Sequence, residues 1–220
     1  MIKKLILLLS LIVICLSSDS FITIRDCNKP INPKRVYIRV FKYEKELEVW
    51  VSDSIEFHLY KKYPICFLSG TFGPKRKQGD LQVPEGFYYI NRFNPYSQYH
   101  LSLGLNYPNQ SDRLLSRYRD LGGQIYIHGN CVSVGCIAMG DVAIEEIYSL
   151  AKSVTDKVEV HIFPINYKYT SSLVYLDNKI KSRMNLLEFE KNIFEGYLFF
   201  EENQRLPDIT IDSNGLYLFQ

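Results

Sequence analysis

Ile125-Tyr126-Ile127-His128-Gly129-Asn130-Cys131-Val132-Ser133-Val134-Gly135-Cys136-Ile137-Ala138-Met139-Gly140-Asp141 is an apolar run that ends on a histidine, crosses a loop of small residues and enters a helical pattern. A strand delivers a base, a turn carries a thiol, and a helix follows. Cys136 comes eight residues after His128. A thiol is mostly protonated at neutral pH, its unperturbed pKa being about 8.5, and a neighbouring imidazole can remove the proton to make the nucleophile. Gly135 lets the backbone approach a substrate carbonyl. Amide N–H groups from Ser133 to Cys136 are candidate oxyanion donors, each worth about 3–4 kcal/mol where such donors have been removed. Gly129 lets the chain turn directly after the base. No acidic residue lies between His128 and Cys136, so a backbone carbonyl is the expected orienter of the imidazole.

Residue chemistry leaves other readings open. Cys131 and Cys136 could pair as a disulfide, or could join His128 in a zinc site, with His161 the only other nearby ligand type; zinc normally asks for four. A cysteine can also be a small buried hydrophobe.

Outward from this stretch the chain reads as strands first and helices later. Val36–Phe41 and Glu46–Val51 flank a charged turn as a hairpin. Phe57–Tyr60 and Tyr63–Leu68 follow as short strands, then the glycine- and charge-rich loop from Gly70 to Asp80. Pro84–Ile90 is a turn leading into a strand, His100–Leu105 is another strand, and Asn106–Gly123 is polar and loop-like. Asp141 is a plausible N-cap, with Glu145 and Glu146 early in a helix whose apolar face is Ile144, Ile147, Tyr148 and Ala151. Val158–Phe163 alternates and stops at Pro164. A second helical region, Met184–Asn203, precedes a strand-like piece around Leu216–Phe219. The expectation is an α+β protein: a strand-rich catalytic domain over residues 35–165 and a C-terminal helical extension over 166–220.

At the start, Lys3 and Lys4 precede an apolar run from Leu5 to Leu16, and Ser18 and Ser20 suit the −3 and −1 positions of a cleavage site. Residues 1–20 read as a signal peptide and 21–34 as a leader segment. The run is short for a membrane span, which takes about 20 apolar residues; an uncleaved anchor is the alternative. Ile14 before Cys15 argues against lipidation. The expected location is outside the cytoplasm, in the periplasm or cell envelope. There Cys27, Cys66, Cys131 and Cys136 are free to pair, and spacing does not decide how; a Cys27–Cys66 bridge is one guess.

Hydrophobic residues at 46% and charged residues at 23% fit an ordinary globular protein rather than a disordered one. A net charge of +2 gives no reason to expect nucleic acid. The 17 Tyr and 13 Phe favour sheets and suit grooves for extended peptide or sugar.

The Ser133-x-Gly135-Cys136-Ile137-x-Met139 turn after His128-Gly129 resembles the catalytic signature of the YkuD family of L,D-transpeptidases, and within it the YafK-type branch. Gly79-Asp80, Pro84 to Tyr88, Tyr107-Pro108-Asn109, Gly122-Gly123, Asp141 and the tail Phe194-Glu195-Gly196-Tyr197-x-x-Phe200-Glu201 match as well, so the likeness spans roughly residues 35–220. It implies a peptidoglycan stem peptide as substrate. Cys136 would be the nucleophile and His128 the proton acceptor and donor, with Gly129, Ser133 and Gly135 supplying backbone around the oxyanion. Tyr107, Asn109 and Lys75 are candidate substrate contacts. Two positions depart from the pattern: Val134 stands where the family usually has a second histidine, and Ala138 where it often has an arginine.

Three functions compete on these grounds. One is an exported cysteine acyltransferase passing the acyl group to an amine of a neighbouring stem peptide or of a wall-attached protein. The second is an L,D-peptidase or amidase of the same fold, with water as acceptor. The third, of a different class, is a non-catalytic wall-binding module. No cofactor and no metal are expected. His58, His100 and His161 read as structural, Trp50 as core, and Lys75, Arg76 and Lys77 as a solvated charge run, the alternative being a part in meeting substrate carboxylates.

Overall fold

In the computed structural model, which describes residues 33–220, the expected first hairpin is present as β1 (Arg35–Phe41) and β2 (Glu46–Ser52), yet neither strand has a solvent face. Alternation explains it. Val36, Ile38 and Val40 point to one side and join the largest apolar cluster with Val49 and Val51. Tyr37, Arg39 and Phe41 point to the other. There Tyr37 packs with Trp50, Phe57 and Phe200, and Phe41 with Phe163, Tyr197 and Tyr217. Burying Arg39 requires partners. Its guanidinium donates to Glu48 Oε2 at 2.9 and 2.7 Å and to Glu201 Oε1 at 2.6 Å. Glu48 is its cross-strand neighbour, so the ion pair is built into the hairpin register.

The other strands are β3 (His58–Pro64), β4 (Phe67–Leu68), β5 (Gly86–Ser97), β6 (His100–Leu105), β7 (Tyr126–His128), β8 (Ile137–Ala138) and β9 (Glu159–Phe163). They form one nine-stranded sheet in the order β3-β2-β1-β9-β5-β6-β7-β8-β4. The β1–β9 and β7–β8 contacts are parallel and the others antiparallel. Helix α2 (Asp141–Ser153) buries Ile144, Ile147, Tyr148, Leu150 and Ala151, which places its apolar stripe in the same cluster as the inner face of the hairpin.

After β9 come α3 (Thr170–Ser182), a 3-10 turn (Met184–Leu186), α4 (Leu187–Asn203) and the small hairpin of β10 (Ile209–Ile211) and β11 (Tyr217–Phe219). Phe189, Ile193, Tyr197 and Phe200 recur at helical spacing along α4 and are buried. The first three pack with Phe41, Phe87 and Phe163 of the sheet. The C-terminal segment is therefore part of one compact unit, Asn32–Gln220, which contains all three apolar clusters, the property that lets a segment fold alone.

Several boundaries differ from the sequence expectation. The stretch Asn106–Gly123 contains a helix, α1 (Gln110–Leu115), because Asn109 and Asp112 form a reciprocal capping box. Asp141 is not an N-cap: Gly140 holds that position, and the Asp141 carboxylate instead accepts the N–H of Asn130 at 2.7 Å. Helix α3 lies before the expected 184–203 helical region; Ser172 is its one buried residue, and Leu173, Tyr175 and Leu176 pack part-buried against the second apolar cluster. The signal, the leader to residue 32, Cys15 and Cys27 lie outside the described residues.

Candidate active site

β7 ends on His128 and β8 begins one residue after Cys136, and the two strands pair in parallel, Ile127 with Ile137 and His128 with Ala138. This pairing closes the intervening loop on itself. Met139 N–H donates to His128 O at 2.8 Å and Gly140 N–H to Asn130 O at 2.9 Å. Gly135 adopts φ +84°, a conformation that favours glycine. At Gly129 a Cβ would fall 2.7 Å from Asp141 Oδ1 and 2.8 Å from Tyr99 O, so a side chain there would collide with the clamp that holds the loop.

A disulfide adds a second clamp. Cys66, between β3 and β4, is bonded to Cys131, with Cα atoms 5.3 Å apart. This overturns the guessed Cys27–Cys66 bridge and the Cys131–Cys136 alternative. It also removes Cys131 from any zinc set with His128. Cys136 is the free thiol among the described cysteines.

His128 and Cys136 line one cavity of about 190 Å³, together with Asn94, Ser97, Tyr99, Ser102 and Tyr126. The β5–β6 hairpin provides one wall, and the Tyr99 ring lies 4.8 Å from the His128 ring. His128 Nδ1 is 2.6 Å from Gly129 O. A carbonyl only accepts, so Nδ1 carries the proton and Nε2 is left with the lone pair. Burial pushes the His128 pKa below its ordinary value, against the weaker effect of that hydrogen bond; at neutral pH the ring is a neutral base.

Cys136 Sγ receives the Tyr126 N–H at 3.3 Å and donates to Gln124 O at 3.5 Å. Burial raises the thiol pKa, and the Tyr126 N–H and the Lys75 charge oppose that only in part. The resting pair is thus neutral thiol and neutral imidazole, not a preformed ion pair. Among the described residues no hydrogen bond joins them. The backbone donors proposed for the oxyanion are occupied by hydroxyls: Gly135 N–H by Ser69 Oγ at 2.6 Å and Cys136 N–H by Ser133 Oγ at 3.0 Å.

Tyr107, Asn109 and Lys75 take other places. Tyr107 is buried and donates to Leu121 O at 3.1 Å. Asn109 caps α1 and donates to Phe87 O and Tyr217 Oη. Lys75 is not a solvated loop cation: its buried ammonium donates to Asp80 Oδ1 and Lys77 O, both at 2.8 Å. It faces the site only as a charge felt by Cys136. Arg76 is likewise turned inward to buried Asp112. At the departures from the family pattern, Val134 is exposed, while Ala138 is fully buried and pairs with His128 across the β7–β8 ladder. His161 is buried against Tyr37 Oη, and Trp50 donates to Glu48 within the core. His100 pairs with Glu145.

Residues that sequence reasoning missed are Ser69, Tyr99, Gln124 and Tyr126. Ser69 lies 66 residues before its partner Gly135, and Gln124 and Tyr126 act through backbone atoms that carry no side-chain signal.

A family model described as the L,D-transpeptidase catalytic domain, YkuD, matches residues 35–162. YafK of Escherichia coli (strain K12), provisionally named an L,D-transpeptidase, is 30% identical over 231 aligned positions, covering 98% of this chain and 90% of that protein. The YafK of Escherichia coli O157:H7 matches equally. Among solved structures, the helical cell shape determining protein Pgp2 from Campylobacter jejuni superposes with a TM-score of 0.51 at 27% identity. That match covers 60% of this chain and 48% of Pgp2.

Proposed function

Because the chain belongs to the YkuD family of L,D-transpeptidase catalytic domains, we propose that it is an exported cysteine acyltransferase that acts on peptidoglycan stem peptides through a Cys136 thioester. The observation that carries this reading is the shared cavity in which a free thiol and an imidazole with its lone pair on Nε2 are both present.

His128 Nε2 takes the Cys136 proton as Sγ attacks the carbonyl carbon of an L-centre preceding a D-residue. The carbonyl oxygen becomes an oxyanion and replaces the Ser69 and Ser133 hydroxyls on the Gly135 and Cys136 N–H groups. Backbone donors of this kind stabilise the developing charge once the two hydroxyls have left them. Collapse breaks the amide bond, His128 returns the proton to the departing amine of the D-residue, and a thioester remains. An amine of a second stem peptide, or of a wall-attached protein, then attacks the thioester; its proton passes through His128 to the thiolate. Water in the amine's place would make the same site a peptidase.

Export is supported by the leader sequence and by the Cys66–Cys131 disulfide, a bond that persists in oxidising compartments. The likeness to a cell shape determining protein supports the wall as target. The test is incubation with a tetrapeptide muropeptide and mass spectrometry of both protein and products. An acyl adduct on Cys136 and a cross-linked product are expected. Hydrolysed peptide without cross-link would assign water as the acceptor. Neither adduct nor turnover would overturn the enzyme reading in favour of a binding module.

A further inference from the structure

Segments 76–78 and 116–120 run side by side. Ser116 Oγ donates to the Arg76 carbonyl at 2.7 Å, and Gln78 N–H donates to the Asp120 carbonyl at 3.0 Å. Their side chains gather positive charge around one ring: Lys77 Nζ lies 5.3 Å and the Arg117 guanidinium 5.2 Å from the centre of Tyr118. Arg117 also donates to Tyr118 Oη at 3.2 Å. Arg113 and Arg119 are exposed on the same segment.

Among the described residues, none of these four cations forms an ion pair. The carboxylate that follows them in sequence, Asp120, accepts the Gly122 N–H. Interleaved with the arginines in sequence are two exposed apolar side chains, Leu114 at 47% and Tyr118 at 39% exposure.

Unpaired cations alone would suit any polyanion. The accompanying leucine and tyrosine narrow the choice, because a soluble polyanion leaves them in water, whereas the boundary between lipid headgroups and acyl chains takes both. Guanidinium and ammonium groups meanwhile reach the lipid phosphates. We propose that the 113–119 segment with Lys77 is a docking surface for an anionic phospholipid membrane. It stands independently of the acyltransferase reading, since none of its side chains lines the cavity.

The test is co-sedimentation of residues 33–220 with vesicles of mixed phosphatidylglycerol and phosphatidylcholine, against phosphatidylcholine alone and against soluble polyphosphate. Binding to the anionic vesicles that weakens as salt rises is expected. Each cation removed should lower partitioning about five-fold. Arg117→Gln should show that step, and the triple replacement of Arg113, Arg117 and Arg119 by Gln should approach a hundred-fold. Leu114→Ser with Tyr118→Ser should weaken vesicle binding and leave polyphosphate binding unchanged. No binding to anionic vesicles at low salt, or binding indifferent to both sets of variants, would overturn the proposal. Polyphosphate binding without vesicle binding would overturn it in favour of a soluble polyanion.

Discussion

The Gly129 carbonyl oxygen lies 2.6 Å from Nδ1 of the preceding residue, His128, so the base is oriented by its own chain neighbour rather than by a carboxylate. Such an orienter fixes the tautomer but adds no negative charge to stabilise an imidazolium. The burial that lowers the His128 pKa below its ordinary 6.5 is therefore offset only in part, by the Gly129 hydrogen bond. Protonation disables the base, so the acid limb of kcat/KM should fall below pH 6.5. His128→Ala should slow acylation by about 10²–10⁴-fold, the usual contribution of a positioned base, and remove that limb. A variant that keeps wild-type acylation would end the assignment.

Cys136 should be slow toward simple thiol reagents at neutral pH. Burial raises the thiol above its ordinary value of about 8.5, and only the thiolate reacts. Alkylation by iodoacetamide should climb with pH through that region and beyond. Capture by a carbapenem-type acylating drug should be lost in Cys136→Ala. Labelling at neutral pH as fast as for a thiol of depressed pKa would contradict this account.

Removing the disulfide should cost stability more than chemistry. Cys66 and Cys131 close a loop of 65 residues, for which chain entropy gives about 4 kcal/mol. Cys131→Ser should lower the unfolding free energy by about 2–4 kcal/mol. Below its melting temperature it should retain a substantial part of the activity, which Cys136→Ala should abolish. Urea unfolding and turnover, measured side by side, separate the two effects.

Glu190 makes stability fall with rising pH. Both its carboxylate oxygens and Glu85 Oε2 are buried without partners, and Lys42 is bound to the other Glu85 oxygen at 2.9 Å. Burial, then the neighbouring Glu85 charge, raise the Glu190 pKa well above 4.5. A raised folded-state pKa means the folded protein holds a proton that the unfolded chain has released. The contribution is complete below the unfolded value and declines as pH climbs from about 4.5 toward the folded value. Glu190→Gln should flatten that decline and leave the neutral-pH melting temperature equal or higher. A pH dependence identical to wild type would refute the protonated carboxyl.

The alternating strands, the amphipathic helices and the His128–Cys136 motif are legible in the chain because each is local: periods of two or 3.6 residues, or groups a few positions apart. The paired burial of Arg39 with Glu48 and Glu201 is not, since Glu201 arrives from α4, 162 residues away. The partner of Cys131, the Ser69 hydroxyl on Gly135 and the inward turn of Lys75 to Asp80 likewise depend on loops meeting in space. By itself the sequence determined an α+β chain with a base at a strand end and a thiol in the turn that leads to a helix; the short strand β8 after Cys136 came only with the structure. Tertiary structure alone decided their charge state and access. A pKa answers to burial and to every neighbouring dipole, and those neighbours, Tyr126, Gln124, Gly129 and Lys75 among them, are set by how the β5–β6 hairpin, the 70s loop and β7 pack around the cavity.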